Sequence, residues 1–145
     1  MREIWFDMDG TIVDFYGVET WLDDILHGFI RPYRIANPLV NMASLARVLN
    51  RLQKNGYKIG IISWLARGAS DEYNEAVRNA KIEWLARHLP SVEWDEIKIV
   101  EYGEYKEVVC DYSDGILFDD DVINRYYWNG DAYDVDNIIE VLRRL

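Results

Sequence analysis

Asp7 and Asp9 stand two residues apart directly after the apolar run Ile4-Trp5-Phe6, and Gly10 follows them. A second apolar run, Ile116-Leu117-Phe118, leads into Asp119, Asp120 and Asp121, and a third, Tyr57 to Ile62, ends at Ser63. If these runs end at one edge of a sheet, several carboxylates and a hydroxyl meet there. Carboxylates that close repel strongly unless a cation sits among them. Oxygen-only ligands with room for water suit Mg2+.

The elements that must position these residues can be read from periodicity. The apolar runs, with Ile97 to Val100 as a fourth, read as short buried strands. Between them lie helical patterns. Met42, Leu45, Leu49 and Leu52 recur at helical spacing after a possible cap at Asn41, and Asn55-Gly56 supplies a stop. Ser70 can cap a longer helix with Tyr73, Val77, Ala80, Trp84 and Leu85 inward, closed by Pro90. Asp134 can cap a last helix with Ile138, Ile139, Leu142 and Leu145 inward. Strands alternating with amphipathic helices predict an α/β fold, a doubly wound and mostly parallel sheet covered on both faces. In such sheets ligands bind at the carboxyl ends of strands, near the point where strand order reverses.

Residues 14–40 break the alternation. Trp21, Leu22, Ile25, Leu26 and Phe29 form one short amphipathic helix, and Arg31 to Pro38 reads as irregular chain with a proline near either end. The expectation is a single domain over 1–145 with a small cap-like insertion at 14–40 that could lie over the site.

Asp7-Met8-Asp9-Gly10-Thr11 after a buried strand resembles motif I of the haloacid dehalogenase-like superfamily, Asp-x-Asp-Gly-Thr. Ser63 resembles motif II, Lys106 is a candidate for motif III, and Asp119-Asp120 resembles motif IV, in the family's order along nearly the whole chain. The resemblance implies a Rossmann-like core with a minimal cap, and an Mg2+-dependent phosphatase with Asp7 as nucleophile and Asp9 as general acid and base. It implies that Asp7, the main-chain carbonyl of Asp9, and Asp119 with Asp120 hold the metal. Asp119 is expected as the direct ligand, Asp120 through water, and Asp121 as a helix cap or surface carboxylate.

Ser63 would donate its hydroxyl to a phosphate oxygen beside backbone donors of the turn at Gly10 and Thr11. The lysine that neutralises nucleophile and phosphate is Lys106 by position, with Lys81 and Lys98 as the less favoured choices because each reads as a surface residue. Trp64 beside Ser63 either stacks on a base or packs in the core. Arg31 and Arg34 either contact substrate or pair with surface carboxylates. His27 and His88 fall on helical patterns away from the motifs.

A chain of 145 residues, half of them hydrophobic and six of them Trp, can build one compact core. Its formal net charge of −10 argues against a nucleic-acid polymer or an anionic membrane as partner. Cys110 is the only cysteine, so no intramolecular disulfide forms, and it reads as a buried apolar residue. The acidic first residues do not read as a signal peptide, no stretch is long and apolar enough to span a bilayer, and the cytoplasm is the expected location. The oligomeric state stays open.

The expected substrate is a small phosphorylated metabolite. A narrower similarity to compact deoxyribonucleotidase-like members suggests a nucleotide. Two alternatives remain: a non-enzymatic receiver-like module, which also gathers acidic residues, a Ser or Thr and a Lys at strand ends, and a polynucleotide end phosphatase.

Overall fold

The computed structural model describes residues 2–145. Five strands, β1 (Glu3–Phe6), β2 (Lys58–Trp64), β3 (Glu96–Val100), β4 (Ile116–Phe118) and β5 (Ala132–Tyr133), form one sheet in the order β3-β2-β1-β4-β5. Every pairing is parallel. The helices are α1 (Trp21–Leu26), α2 (Arg31–Ile35), α3 (Met42–Lys54), α4 (Asp71–His88), α5 (Lys106–Val109), α6 (Val122–Tyr127) and α7 (Ile138–Arg143).

Period-two alternation sorts the strands between two cores. Ile4, Phe6, Ile59, Ile61 and Phe118 face the larger one, which also takes Leu45, Leu49 and Leu52 of α3, Val77 and Trp84 of α4, and Leu142 of α7. Trp5, Ile62 and Leu117 face the smaller one, with Cys110 and Trp128. Gly60 faces this side because a Cβ there would lie 2.5 Å from the Trp5 ring. With both faces covered, the inner strands β1, β2 and β4 are apolar through their middles, whereas the edge strand β3 carries Glu96 and Lys98.

The caps on Asn41 and Ser70 are as expected: each side chain accepts a hydrogen bond from the backbone three residues on, Ser44 N and Tyr73 N. Three features depart from the sequence reading. Arg31–Ile35 is helical rather than irregular; Pro32 sits in the first turn, where no backbone N–H is needed. Asp134 caps a single 3-10 turn, Val135–Asn137, which precedes the short α7. β2 runs on through Ser63 and Trp64, so both belong to the strand itself.

Strand order reverses at β1, and the crevice between the ends of β1 and β4 is where Asp7 and Asp119 emerge. Their backbones continue the ladder, Asp7 N donating to Phe118 O at 2.9 Å and Asp119 N to Tyr133 O at 3.1 Å. No helix among the described residues is long and apolar enough to cross a membrane.

Candidate active site

Two buried lysines, each only 2% exposed, divide the acidic residues between them. Lys106, at the start of α5, donates to Asp7 Oδ1 at 3.0 Å and to Asp119 Oδ2 at 2.7 Å, and its ammonium lies 5.1 Å from the centre of the Trp64 ring. Burial alone would depress its pKa, but the two carboxylates raise it overall, so Lys106 is a fixed cation. Lys81 of α4 donates to Ser63 Oγ and to Trp64 O, both at 2.7 Å, and pairs with Asp9 Oδ2 at 3.1 Å. The alternation of β2 explains the division: Ser63 projects toward α4 and Lys81, and Trp64 toward α5 and Lys106.

Lys81 is therefore not a surface residue, which corrects the sequence reading. It lies one helical turn from Val77 on the same inward stripe, so its position was signalled by spacing and masked by residue type. Lys98 stays away from the carboxylates, donating to Val109 O at 2.9 Å beside Glu96. Asn124 was also missed. Its Nδ2 donates to Asp119 Oδ2 at 3.2 Å from α6, and no pattern in one sequence marks it.

Asp7, Asp119 and Asp120 each offer an oxygen, and the three atoms lie within 4.8 Å of one another. Such a set of hard oxygen donors fits Mg2+. Burial first, and then repulsion from Asp7, raises the pKa of both Asp119 and Asp120; Asp120 is exposed, so water screens part of its repulsion. The Asp9 side chain is outside this triad, on Lys81. Its pKa is also raised, by burial foremost and by Asp7 next, against the pull of Lys81. Asp121 caps α6, accepting from Ile123 N at 2.8 Å and from Asn124 N at 3.4 Å.

Gly10 and Thr11 do not present themselves to a ligand as expected. Gly10 has φ +81, and a Cβ on it would collide with Asp120 Oδ2; its N–H donates to Val13 O at 2.8 Å. Thr11 is fully buried: its hydroxyl donates to Asp7 Oδ2 at 3.0 Å and accepts from Asp120 N at 3.2 Å. These two residues fix the first acidic loop against the second. Asp120, which both residues meet, is 109 residues from Thr11 in sequence, a separation that local spacing does not reveal.

The site residues line a cavity of about 540 Å3 that includes Asp7, Asp9, Ser63, Trp64, Lys106 and Asp120. Arg31 and Arg34 do not line it; they border a neighbouring groove. His27 and His88 line neither, and Cys110 is buried with its thiol pushed up to about 12 chiefly by burial.

The fold and this geometry define a doubly wound parallel α/β protein with an acidic, lysine-braced centre at its strand reversal. No protein-family model matches the sequence, and no curated protein matches it. Among solved structures, the fold is similar to that of D,D-heptose 1,7-bisphosphate phosphatase from Burkholderia thailandensis, with TM-score 0.60 and 13% identity, covering 99% of this chain and 97% of that one. It is also similar to D,D-heptose 1,7-bisphosphate phosphatase from B. bronchiseptica complexed with magnesium and phosphate, with TM-score 0.53 and 16% identity, covering 91% of this chain and 78% of that one. At these identities the likeness is one of fold.

Proposed function

We propose that this chain is an Mg2+-dependent phosphomonoesterase of the haloacid dehalogenase-like kind, acting on a small phosphorylated metabolite through an aspartyl-phosphate on Asp7. The observation that carries this reading is the pairing of Lys106 with Asp7 and Asp119 opposite a second unit, Asp9-Lys81-Ser63, at one strand mouth. The motif resemblance and the fold shared with phosphatases support it.

Asp7, Asp119 and Asp120 would hold the metal, which when bound supplies positive charge against the phosphate. Lys106 orients the Asp7 carboxylate and screens it from the approaching anion. An Asp7 oxygen attacks phosphorus as the bond to the leaving oxygen breaks, and Asp9 gives its proton to that oxygen. Asp9 then takes a proton from a water that attacks the acyl phosphate, releasing phosphate and restoring Asp7. Lys81 can only donate, so Ser63 Oγ accepts from it and keeps its own O–H for a phosphate oxygen. The raised pKa of Asp9 favours the protonated form that the first step needs.

Phosphate release from p-nitrophenyl phosphate tests the assignment. Activity should require Mg2+, vanish with a chelator, and fall about 1,000-fold or more in Asp7→Asn; near wild-type turnover in that variant overturns the mechanism. Asp9→Asn should lose about 100-fold or more on alkyl phosphates and much less on the aryl ester. Sustained turnover excludes a receiver-like module, and salt-sensitive binding of an oligonucleotide would favour a polynucleotide end phosphatase. A nucleotide substrate rests on the narrower sequence similarity and on Trp64 in the cavity wall; nucleoside monophosphates turning over no faster than sugar phosphates would remove it.

A further inference from the structure

The carboxylate cavity opens into a broader groove of about 1210 Å3, and Ile25, Leu26 and Arg67 line both. The groove is more than a phosphate needs. Leu26, Phe29 and Ile35 give it an apolar surface, each of them at least 48% exposed, and Arg31, Arg34 and Arg67 border it. Among the described residues these three form no ion pair, as is true of most of the chain's arginines, so their guanidinium groups are left to solvent or to a ligand in the groove. Two carboxylates also line the groove, Asp24 and Glu72, but Asp24 is buried and accepts from Thr20 Oγ1 at 2.7 Å.

The placement of Arg67 is built rather than incidental. The buried Asn74 clamps the preceding residue from both sides, accepting from Ala66 N at 3.0 Å and donating to Ala66 O at 3.4 Å. Its guanidinium lies 5.8 Å from the centre of the Tyr102 ring, and that ring packs on Trp64 at 4.9 Å, the same ring that flanks Lys106. Aromatic rings thus connect the cation at the nucleophile to the cation at the junction of the two spaces.

We propose that the groove receives the leaving portion of the substrate and that this portion carries a second anionic group, phosphate or carboxylate, which Arg67 binds with Arg31 and Arg34 beyond it. The inference rests on the phosphatase reading of the carboxylate cavity. A guanidinium fork matches either anion with two parallel hydrogen bonds, and the apolar surface can cover the carbon frame between the two charges.

Matched phosphomonoesters with a distal hydroxyl, carboxylate or phosphate test it. The readout is the ratio of kcat/KM for each anionic ester to that for the neutral one, in which any general loss of activity cancels. Wild type should favour a distal anion by about tenfold or more, the size of one charge-assisted hydrogen bond. The carboxylate and phosphate arms show which anion is used. Arg67→Gln should bring the ratio to within about threefold of one, mainly through KM, while Arg67→Lys keeps only part of it, because an ammonium supplies the charge without the fork. A wild-type ratio near one, or a ratio unchanged in Arg67→Gln and in the Arg31→Gln/Arg34→Gln double variant, overturns the inference and leaves the phosphatase assignment standing. Failure of wild type to hydrolyse any ester, p-nitrophenyl phosphate included, overturns the assignment and the inference together.

Discussion

Lys81 has three ammonium hydrogens and three acceptors, Ser63 Oγ, Trp64 O and Asp9 Oδ2, so its burial leaves no donor unmatched. That completeness makes it a positioning residue: through one side chain it sets the rotamer of Asp9 and the direction of the Ser63 hydroxyl. Lys81→Met should cost up to about 3–5 kcal/mol by removing one partner of a buried pair, and less to the extent that Asp9, whose side chain is 19% exposed, can turn to water. A purely structural role predicts equal loss on all substrates. A displaced acid predicts a larger loss on alkyl than on aryl phosphates, and equal losses would refute the positioning role. The residue types at positions 7, 9, 63, 106, 119 and 120 were legible because each closes an apolar strand or stands in the order a known motif set demands. Lys81 was not, since lysine is so seldom fully buried that its type outweighed the stripe it shares with Val77 and Trp84.

The same helix that carries Lys81 also holds the 14–40 segment in place. Tyr73 Oη donates to Phe29 O, Trp84 Nε1 to Ala36 O, each at 2.9 Å, and Arg87 to Arg34 O at 2.6 Å. Three side chains spread along α4 thereby satisfy carbonyls in and around α2, which explains how so short a segment keeps a defined course. Sequence periodicity found α3 and α4 with their caps, because each is long enough to display a repeating stripe. It missed α2, with five residues, and β5, with two, because their order comes from partners elsewhere in the chain. Trp84→Phe keeps an aromatic ring but loses the bond to Ala36 and part of the volume, so it should destabilise by about 1–3 kcal/mol. Hydrogen exchange should then quicken in residues 29–36 ahead of the sheet. Uniform acceleration across the fold would mean that Trp84 supports only the core.

At the scale of the whole molecule, the −10 charge and the carboxylate triad make stability depend on pH and metal together. Burial, with Asp7 close by, pushes Asp119 up to about 6 and Asp120 up to about 7. The folded protein without metal therefore keeps protons that the unfolded chain releases near pH 4. Stability from this source is fully present below about pH 4 and is lost as pH rises through 6 to 7, the reverse of an ordinary salt-bridged carboxylate. Mg2+ binds the deprotonated triad, so it must displace protons at pH 5 and need not at pH 8. In chelator, the melting temperature should fall from pH 5 to pH 8, and Asp120→Asn should flatten that fall. Mg2+ at about 100 times its dissociation constant should add about 2.7 kcal/mol at pH 8, roughly 5–10 °C for a domain of this size, and distinctly less at pH 5. A melting temperature indifferent to Mg2+ at pH 8, or a larger metal effect at pH 5, would show that these three carboxylates do not act as one cation site.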